Sequence, residues 1–508
     1  MSELYQWQKE CLHRWFLNKG RGIVQAVTGA GKTRLALAAA DRMDKKCQGK
    51  LLVRIVVPTA ALMRQWKKVL QEHGVSSISL CGAGQSPDIS CKYIIYIANS
   101  ARYRLARQIL RELKEKKPVL LIADECHHYS SEQNQLIFEF LPHIKEMAAQ
   151  FYSLGLTATL PDGENGRYLA SVLGRKIYHY SMREAAKAKT VCHYDIFHIG
   201  LSFLGEEAQS YQELTDRMLV IYRTMQSKGL IGADSISRYD LFEQLRAMTH
   251  SKNAKIAQLA SSYLQLSYKR KELVCLAATR IPCVCRLIEL LGIREKIMIF
   301  GERISQVEEL YKYLNEQYPG RVGRYHYQMG KQANHNALQR FHEGEYRILI
   351  TCKAVDEGVD VPDIAVGIVL SGTSVQRQRI QRLGRIVRTA EGKERAALYY
   401  LHLSDSSEEQ MYLPDVADME IFELEYEAEE DSFIHPEYDR RAHGLLEQMK
   451  RSGADLKVLA EADRVLDHGR VRADWKNKEC DYAGKKADAK HMREKNYWVC
   501  MEKLSGKG

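Results

Sequence analysis

Two short segments of the chain carry residue types that could bind and cleave a phosphate chain. The first, residues 26–33, follows an apolar run and opens a helical pattern at Lys32. Glycines allow backbone N–H groups to approach phosphate oxygens, and the N-terminus of the following helix adds a positive dipole. We expect Lys32 to reach the β- and γ-phosphates of a nucleotide and the hydroxyl of Thr33 to bind Mg²⁺. The candidate phosphate-binding residues are Thr28, Gly29, Ala30, Gly31, Lys32 and Thr33.

Two adjacent carboxylates form the second candidate element. The apolar run 120–123 ends at Asp124 and Glu125, and a cysteine and two histidines follow. If this run is a strand beside the phosphate loop, Asp124 would bind Mg²⁺ directly or through water, and Glu125 would polarise the attacking water as a general base. A zinc site here is disfavoured because adjacent side chains diverge. Alone, each segment also fits an ordinary strand that ends in a polar turn, but together they favour a nucleotide-hydrolysing site.

The elements that must position these residues read as strands alternating with helices, which is typical of parallel α/β sheets. In a first stretch the predicted strands are 23–27, 51–57, 93–97, 119–123 and 151–156. In a second stretch they are 297–300, 347–351, 366–370 and 396–401. We therefore predict an α/β protein with two tandem parallel-sheet lobes.

The chain between and after these stretches has a different character. The predicted domains are a first lobe at 1–180, a helical connecting region at 181–290, a second lobe at 291–404 and a mostly helical C-terminal extension at 405–508. A buried face is indicated by apolar residues at helical spacing in the connecting region, namely Tyr211, Leu214, Met218, Tyr222 and Met225.

The C-terminal extension divides by charge. Residues 405–431 contain 12 acidic residues and no lysine or arginine, which favours a solvated helix face or a linker. From Tyr438 onward, the sequence contains 17 basic and 12 acidic residues. Four aromatic residues are interleaved with the basic ones, namely Trp475, Tyr482, Tyr497 and Trp498. This mixture suits nucleic-acid contact, but it equally suits a helical tail packed on the body of the protein.

Composition restricts the partners and the compartment. The chain has 75 Lys and Arg against 64 Asp and Glu, a net charge of +11, which fits a nucleic-acid partner without establishing one. No apolar run approaches the ~20 residues of a membrane span. The 12 cysteines contain no C-x-x-C pair and read as reduced thiols. Because the N-terminus also lacks an apolar signal segment, we expect a cytoplasmic protein with no membrane partner.

The order of these segments resembles the motifs of superfamily 2 helicases and translocases. Residues 124–127 are similar to a DExH box, and residues 7–10 resemble the adenine-reading glutamine motif. Residues 56–66 resemble motif Ia, 156–160 motif III, 297–300 motif IV, 356–362 motif V and 381–388 motif VI. The resemblance implies RecA-like lobes, and it is strongest to the branch of XPB, UvsW, RadD and restriction motors, which act mainly on duplex or branched DNA.

The resemblance also implies roles for individual residues with ATP and Mg²⁺. The implied nucleotide contacts are Gln8 at the adenine, Lys32, Thr33 and Asp124 at Mg-ATP, and Gly358 and Asp360 of the motif V segment. Arg385 and Arg388 would enter the cleft from the second lobe and neutralise charge on the γ-phosphoryl group, worth ~10³–10⁵ in rate. Gln381 would position the water or bridge to His127.

A nucleic-acid path across both lobes follows from the same resemblance. Thr157 and Thr159 would link the state of the nucleotide to the grip on the strand. Arg64, Arg104 and Arg107 are candidate phosphate contacts, although a merely solvated face explains them equally well. The predicted function is an ATP-dependent helicase or translocase that acts on DNA in preference to RNA. An ATP-gated sensor or clamp, a motor subunit that docks a nuclease or defence subunit through the C-terminal region, and an RNA helicase remain open.

Overall fold

The computed structural model describes residues 3–188, 190, 192–232, 238–352, 364–371, 395–408, 421–477 and 480–506. In these ranges the chain forms two mostly parallel β-sheets, which confirms the predicted α/β class. None of the helices in the described part of the chain is long and apolar enough to cross a membrane.

The first sheet contains seven strands, all paired in parallel. They are β1 (Arg21–Ala26), β2 (Leu52–Val57), β3 (Ile78–Cys81), β4 (Tyr93–Ile97), β5 (Val119–Ala123), β6 (Phe151–Thr157) and β7 (Lys176–Tyr180). Their order is β3-β4-β2-β5-β6-β1-β7. The helices are α1 (Gln6–Leu17), α2 (Lys32–Lys46), α3 (Ala60–Glu72), α4 (Ala98–Lys114), α5 (Glu132–Gln135), α6 (Gly163–Leu173) and α7 (Met182–Lys187). Short 3-10 helices span Cys126–Ser130, Leu136–Phe138, Leu141–His143 and Lys145–Gln150.

The central strands of this sheet form because their apolar runs can be buried on both faces. Every residue of β5 is buried, and so are five of the six residues of β2. In a parallel sheet all carboxyl ends lie at one edge, where ligands commonly bind. Because β5, β6 and β1 are neighbours, the loops that follow them meet at that edge.

The second sheet contains eight strands in the described ranges, in the order β10-β11-β9-β12-β13-β8-β14-β15. They are β8 (His193–Leu201), β9 (Ile297–Gly301), β10 (Val322–Tyr325), β11 (Ile348–Cys352), β12 (Val366–Val369), β13 (Arg395–Leu403), β14 (Ile421–Glu427) and β15 (Ser432–Ile434). The pairing of β14 with β15 is antiparallel, and the other pairs are parallel.

Two groups of helices accompany the second sheet. The first comprises α8 (Glu207–Ser227), α9 (Arg238–Thr249), α10 (Ala254–Cys275), α11 (Arg280–Leu291), α12 (Ile304–Gln317) and α13 (Lys331–Glu343). The second comprises α14 (Pro436–Arg451), α15 (Leu456–Arg470), α16 (Tyr482–Asp488) and α17 (Met492–Ser505). Two 3-10 turns span Tyr327–Met329 and Asp474–Lys476.

The region predicted as a helical connection contains a strand as well as helices. Strand β8 lies within residues 181–290, yet it pairs with β13 and β14 of the second sheet. The predicted helical face is present on α8, where Tyr211, Met218 and Met225 are buried. The domain boundaries given above stay a prediction.

The acidic segment is partly a strand, so the expectation of a helix face or linker is wrong for residues 421–427. In β14, Phe422, Leu424 and Tyr426 are buried, whereas the glutamates between them are exposed. This alternation has the period of two that places successive side chains on opposite faces of a sheet. The glutamates of β14 therefore form the solvent face of a sheet strand.

The basic and aromatic tail packs on the second sheet. Trp475 and Tyr482 are buried and belong to the same apolar core as Phe197 and Tyr399 of the sheet. Tyr497 and Trp498 are half-buried against that core. Of the two interpretations of this segment, the structure favours the packed helical tail.

Candidate functional site

The loop after β1 has the backbone shape of a phosphate cradle. Gly29 and Gly31 have φ angles of 87° and 89°, in the left-handed region that favours glycine. A Cβ atom at Gly31 would lie 2.8 Å from Nε2 of Gln8, so the loop also lacks room for a side chain there. Helix α2 begins at Lys32, and its free N–H groups and dipole point toward this loop.

The glutamine of α1 is bound to this loop. Gln8 is buried, its Nε2 donates a hydrogen bond to the carbonyl of Gly31 at 3.0 Å, and its Oε1 accepts one from the N–H of Tyr5 at 3.0 Å. The guanidinium of Arg34 lies 5.5 Å from the centre of the Tyr5 ring. This cation and aromatic pair beside Gln8 was not predicted from the sequence.

Two side chains of the loop have hydrogen-bonding capacity to offer a ligand. The Lys32 ammonium is almost fully buried and donates to the carbonyl of Ala26 at 3.0 Å. The hydroxyl of Thr28 is buried and has no hydrogen-bond partner among the described residues. A buried hydroxyl without a partner is costly unless a ligand engages it, so the loop fits a phosphate group. Thr33 is half-buried at the start of α2.

Asp124 lies at the carboxyl end of β5 and is held from two sides. Its Oδ2 accepts a hydrogen bond from Nε1 of Trp66 at 2.8 Å, and its Oδ1 accepts one from the N–H of Glu125 at 3.0 Å. Burial raises the pKa of Asp124 to about 6, and the charge of Glu125 contributes to this rise. The Trp66 hydrogen bond and the charge of Lys32 act in the opposite direction. The charge of Lys32 is therefore close enough to act on the Asp124 carboxylate.

Glu125 is held in an unusual backbone conformation. Its φ and ψ angles are 46° and 51°, in the left-handed region that residues other than glycine rarely adopt. Such a conformation costs of order 1–3 kcal/mol and is found mainly at functional sites. Its Oε2 is buried and lies 3.5 Å from Nδ1 of His127.

A hydrogen-bonded chain runs from the DExH segment to the end of β6. Nδ1 of His127 lies 2.8 Å from Oγ1 of Thr157, and both side chains are buried. The Thr157 hydroxyl donates to the carbonyl of Thr159 at 2.7 Å and accepts from its N–H at 3.1 Å. The structure therefore joins three of the residues that the sequence assigned to coupling.

The donor set fits Mg²⁺ and a nucleotide better than a protein-only metal cage. No group of three or more His, Cys, Asp and Glu side chains that could hold a metal occurs in the described ranges. Mg²⁺ is typically held by one or two protein oxygens together with phosphates and waters. Thr33 and Asp124 could supply those oxygens.

The predicted nucleic-acid cations lie outside this pocket. Arg64 is exposed on α3, and Arg104 and Arg107 are exposed on α4. Arg104 also donates a hydrogen bond to the hydroxyl of Ser86 at 3.3 Å. On α4, the exposed ring of Tyr103 precedes these arginines.

The second-lobe contributors lie outside the described residues. These are Gly358, Asp360, Gln381, Arg385 and Arg388. Their roles stay predictions. Among the described residues, the sequence did not single out Trp66 as a partner of Asp124, although the Gln-Trp pair at the end of motif Ia was visible.

Comparison with known proteins places both halves of the chain among helicases. Residues 1–162 match the family described as type III restriction enzyme, res subunit, and residues 279–390 match the helicase conserved C-terminal domain. Over 391 residues the chain is 31% identical to DNA 3'-5' translocase XPB2 of Sulfurisphaera tokodaii, covering 76% of this chain and 79% of that protein. The chain belongs to the superfamily 2 helicases and translocases. This helicase is therefore an ATP-hydrolysing enzyme.

Solved structures of other helicases share the fold of this chain. The Hef helicase domain of Pyrococcus furiosus is 15% identical with a TM-score of 0.51, covering 80% of this chain and 97% of that one. Dbp5 of S. cerevisiae, bound to RNA and ADP BeF3, is 14% identical with a TM-score of 0.52, covering 84% and 90%. At these identities the likeness shows the fold alone, which confirms two tandem RecA-like lobes.

Proposed function

We propose that this helicase is a DNA translocase that converts ATP hydrolysis between its two lobes into movement along a strand. The observation that carries the proposal is the joined arrangement of the phosphate loop, Asp124, and the hydrogen-bonded pair of His127 and Thr157. DNA is chosen over RNA because XPB2, the relative at 31% identity, is named a DNA translocase. The same name supports movement in the 3′-to-5′ direction.

The proposed nucleotide site uses the residues of the first lobe. Gln8 would read the adenine edge, with the ring of Tyr5 and the guanidinium of Arg34 beside it. Lys32 and the loop N–H groups would neutralise the phosphates. Thr33 and Asp124 would hold Mg²⁺, which supplies polarisation of the phosphoryl oxygens when it is bound.

The proposed hydrolytic step divides between the lobes. Glu125 would accept the proton of the attacking water, and its buried Oε2 beside His127 is suited to that task. Arg385 and Arg388 would stabilise the charge that develops on the γ-phosphoryl group, with Gln381 positioning the water. Gly358 and Asp360 would complete the cleft. Because both lobes are needed for one reaction, hydrolysis would be coupled to their relative motion.

The proposed link to the strand begins at His127. A change at Glu125 would reach His127 through the 3.5 Å contact between Oε2 of Glu125 and Nδ1 of His127, and from there Thr157 and Thr159 through their hydrogen bonds. Arg64, Arg104 and Arg107 would bind phosphates of the strand on the outer helices.

A substrate panel tests the choice of nucleic acid. The ATPase rate is measured with single-stranded, duplex and forked DNA and with the same forms of RNA. We expect DNA to stimulate turnover more than RNA, and Glu125→Gln to bind ATP while hydrolysing it at least ~10²-fold more slowly. Stronger stimulation by RNA would identify an RNA helicase instead.

Movement is tested separately from ATP hydrolysis. Streptavidin is placed on biotin at the 3′ or the 5′ end of a single strand, and its ATP-dependent displacement is followed. We expect displacement at the 5′ end, because a motor that moves 3′-to-5′ arrives there. DNA-stimulated hydrolysis without displacement at either end, and without strand separation on forks, would identify a clamp or sensor.

A second candidate function is the motor subunit of a larger assembly. The observation that favours it is the match of residues 1–162 to the res subunit of a type III restriction enzyme. A nuclease or defence subunit would then dock through the C-terminal region. Co-purification of a nuclease with the full chain tests this candidate.

We also propose the cytoplasm as the compartment of this helicase, supported by free thiols at Cys11, Cys126 and Cys283.

A further inference from the structure

A buried tryptophan connects the motif Ia helix to the metal-binding carboxylate. Trp66 lies on α3 and is only 1% exposed, and its Nε1 donates to Oδ2 of Asp124 at 2.8 Å. Its ring packs in an apolar core that also contains Met63 and Leu70 of the same helix. The indole is therefore fixed to α3 and to Asp124 at once.

The opposite side of this helix is exposed and carries basic side chains. Arg64 and Lys68 are exposed on α3, two residues before and two residues after Trp66. At 100° per residue, they lie on the helix face opposite the indole. A force applied to this exposed basic face would therefore move the indole N–H as part of one rigid element.

The geometry makes the carboxylate sensitive to such a movement. The Trp66 bond and the 3.0 Å bond from the N–H of Glu125 hold one oxygen each, so together they fix the plane of the Asp124 carboxylate. Each oxygen keeps a lone pair for a metal ion or its water. A side-chain hydrogen bond is lost beyond about 3.5 Å, so a shift of α3 by less than ~1 Å would release Oδ2.

We propose that Trp66 is a positioning residue that orients Asp124 for the magnesium–nucleotide complex and transmits nucleic-acid binding at the outer face of α3 to that carboxylate. The second part rests on the proposed function, because it assumes that DNA binds α3. Trp66 itself does not touch the reacting atoms. It acts through Asp124, in the way that outer partners orient the ligands of metal sites.

The first test measures nucleotide binding and needs no turnover. A fluorescent, non-hydrolysable ATP analogue is titrated into the full chain with Mg²⁺ and again with EDTA. Trp66→Phe keeps an aromatic side chain, smaller than the indole, and removes the N–H donor. We expect this variant to lose about tenfold in affinity with Mg²⁺ and to match the wild type in EDTA. Equal affinity of variant and wild type with Mg²⁺ would overturn the proposal.

The matched control removes a buried indole hydrogen bond elsewhere in the same lobe. Nε1 of Trp15 donates to the carbonyl of Ser153 at 3.0 Å, and Trp15 is as deeply buried as Trp66. Trp15→Phe should keep the Mg²⁺ dependence of the wild type. If both variants lose the same Mg²⁺-dependent affinity, the effect is general loosening of the lobe and the assignment of Trp66 is wrong.

A repeat of the titration with DNA distinguishes failure of this proposal from failure of the proposed function. The titration with Mg²⁺ is repeated with saturating DNA, and the DNA-induced change in affinity should shrink several-fold in Trp66→Phe but not in Trp15→Phe. A wild type that binds no DNA would count against the proposed function only, because the test without DNA is independent. A wild type that responds to DNA, with an equal response in Trp66→Phe, would overturn the transmitting role.

A measurement on the unmutated chain covers the case in which Trp66→Phe fails to fold. The five tryptophans are labelled with 5-fluorotryptophan, and their fluorine resonances are recorded with nucleotide before and after Mg²⁺ is added. We expect one resonance to shift on Mg²⁺ addition and the same resonance to shift again with DNA. No resonance that responds to Mg²⁺ would overturn the proposal.

Discussion

Two buried sets of polar groups in the first lobe, the Arg54–Glu112 ion pair and the phosphate loop, differ in how many of their hydrogen-bond partners the fold supplies. Arg54 of β2 and Glu112 of α4 are 0% and 3% exposed, with a closest approach of 2.6 Å. The guanidinium binds both carboxylate oxygens and also donates to the carbonyls of Val53 and Lys92. At the phosphate loop, by contrast, Lys32 has one backbone acceptor and the buried hydroxyl of Thr28 has no hydrogen-bond partner among the described residues.

This difference distinguishes structural from functional buried polarity. A buried charge is tolerated when the fold supplies all its partners, and the Arg54 pair meets that condition. Polar atoms left with open bonding capacity at a sheet edge are suited to a ligand that completes them. The two groups should therefore respond to mutation in opposite ways, one in stability and the other in turnover.

The largest expected effect is on turnover at the phosphate loop. Lys32→Ala removes the cation that would neutralise the phosphates, so we expect ATP hydrolysis to fall by about 10³-fold or more. The melting temperature should stay close to that of the wild type, because Lys32 has few partners in the fold. A coupled ATPase assay and a thermal melt check both parts. Retained turnover would remove the phosphate-loop assignment.

The next effect is on stability at the paired charge. Arg54→Leu leaves Glu112 buried and unpaired, so we expect a loss of about 3–5 kcal/mol in the free energy of unfolding, measured by urea denaturation. The double variant Arg54→Leu/Glu112→Leu should recover most of this loss. Arg111→Ala, which breaks the exposed pair of Arg111 on α4 with Glu115, is the control and should have little effect. A stable single variant would contradict the comparison.

A smaller effect is expected where the site meets β6. Thr157→Val keeps the side-chain volume but removes the hydroxyl bound to His127, so the DNA-stimulated ATPase rate should fall by about tenfold. The ratio of rates with and without DNA is the measurement. Thr224→Val removes an exposed hydroxyl that donates to the carbonyl of Val220 within the same helix, α8, and serves as the control. An unchanged ratio would leave His127 and Thr157 without a coupling role.

The smallest effect concerns the exposed cations. Arg104→Ala/Arg107→Ala should lower the slope of log affinity against log salt by ~0.7–0.9 for each lost phosphate contact. Nucleotide affinity should be unchanged, because both arginines lie outside the pocket. Arg464→Ala, an exposed position on α15, is the matched control. A salt slope equal to that of the wild type would make these residues an ordinary solvated face.

The sequence predicted the central strands well because their apolar runs are continuous. The predicted strands 93–97 and 119–123 coincide with β4 and β5. By contrast, β8 contains histidine and aspartate among its apolar residues, and the acidic charge of β14 masked its period of two. In both cases the polar and charged residues hid the strand from a prediction based on apolar runs.

The candidate site was predicted as a set of motifs but not as a set of contacts. The phosphate loop and the carboxylate pair follow from local spacing, since each is one segment. The bond between Trp66 and Asp124 joins residues 58 positions apart, and that between His127 and Thr157 spans 30. Such pairs depend on which strands become neighbours, and the sequence pattern does not state that order.

The position of β8 has a mechanical consequence. The chain enters the second sheet at β8, leaves it for α8, α9, α10 and α11, and returns at β9. The two ends of this excursion are tied together, since the hydroxyl of Thr279 donates to the carbonyl of Ser202 at 3.0 Å. Helices α8, α9 and α10, which lie between these two ends, thus form an insertion attached at both ends to the second lobe. A rotation of that lobe would carry the three helices with it.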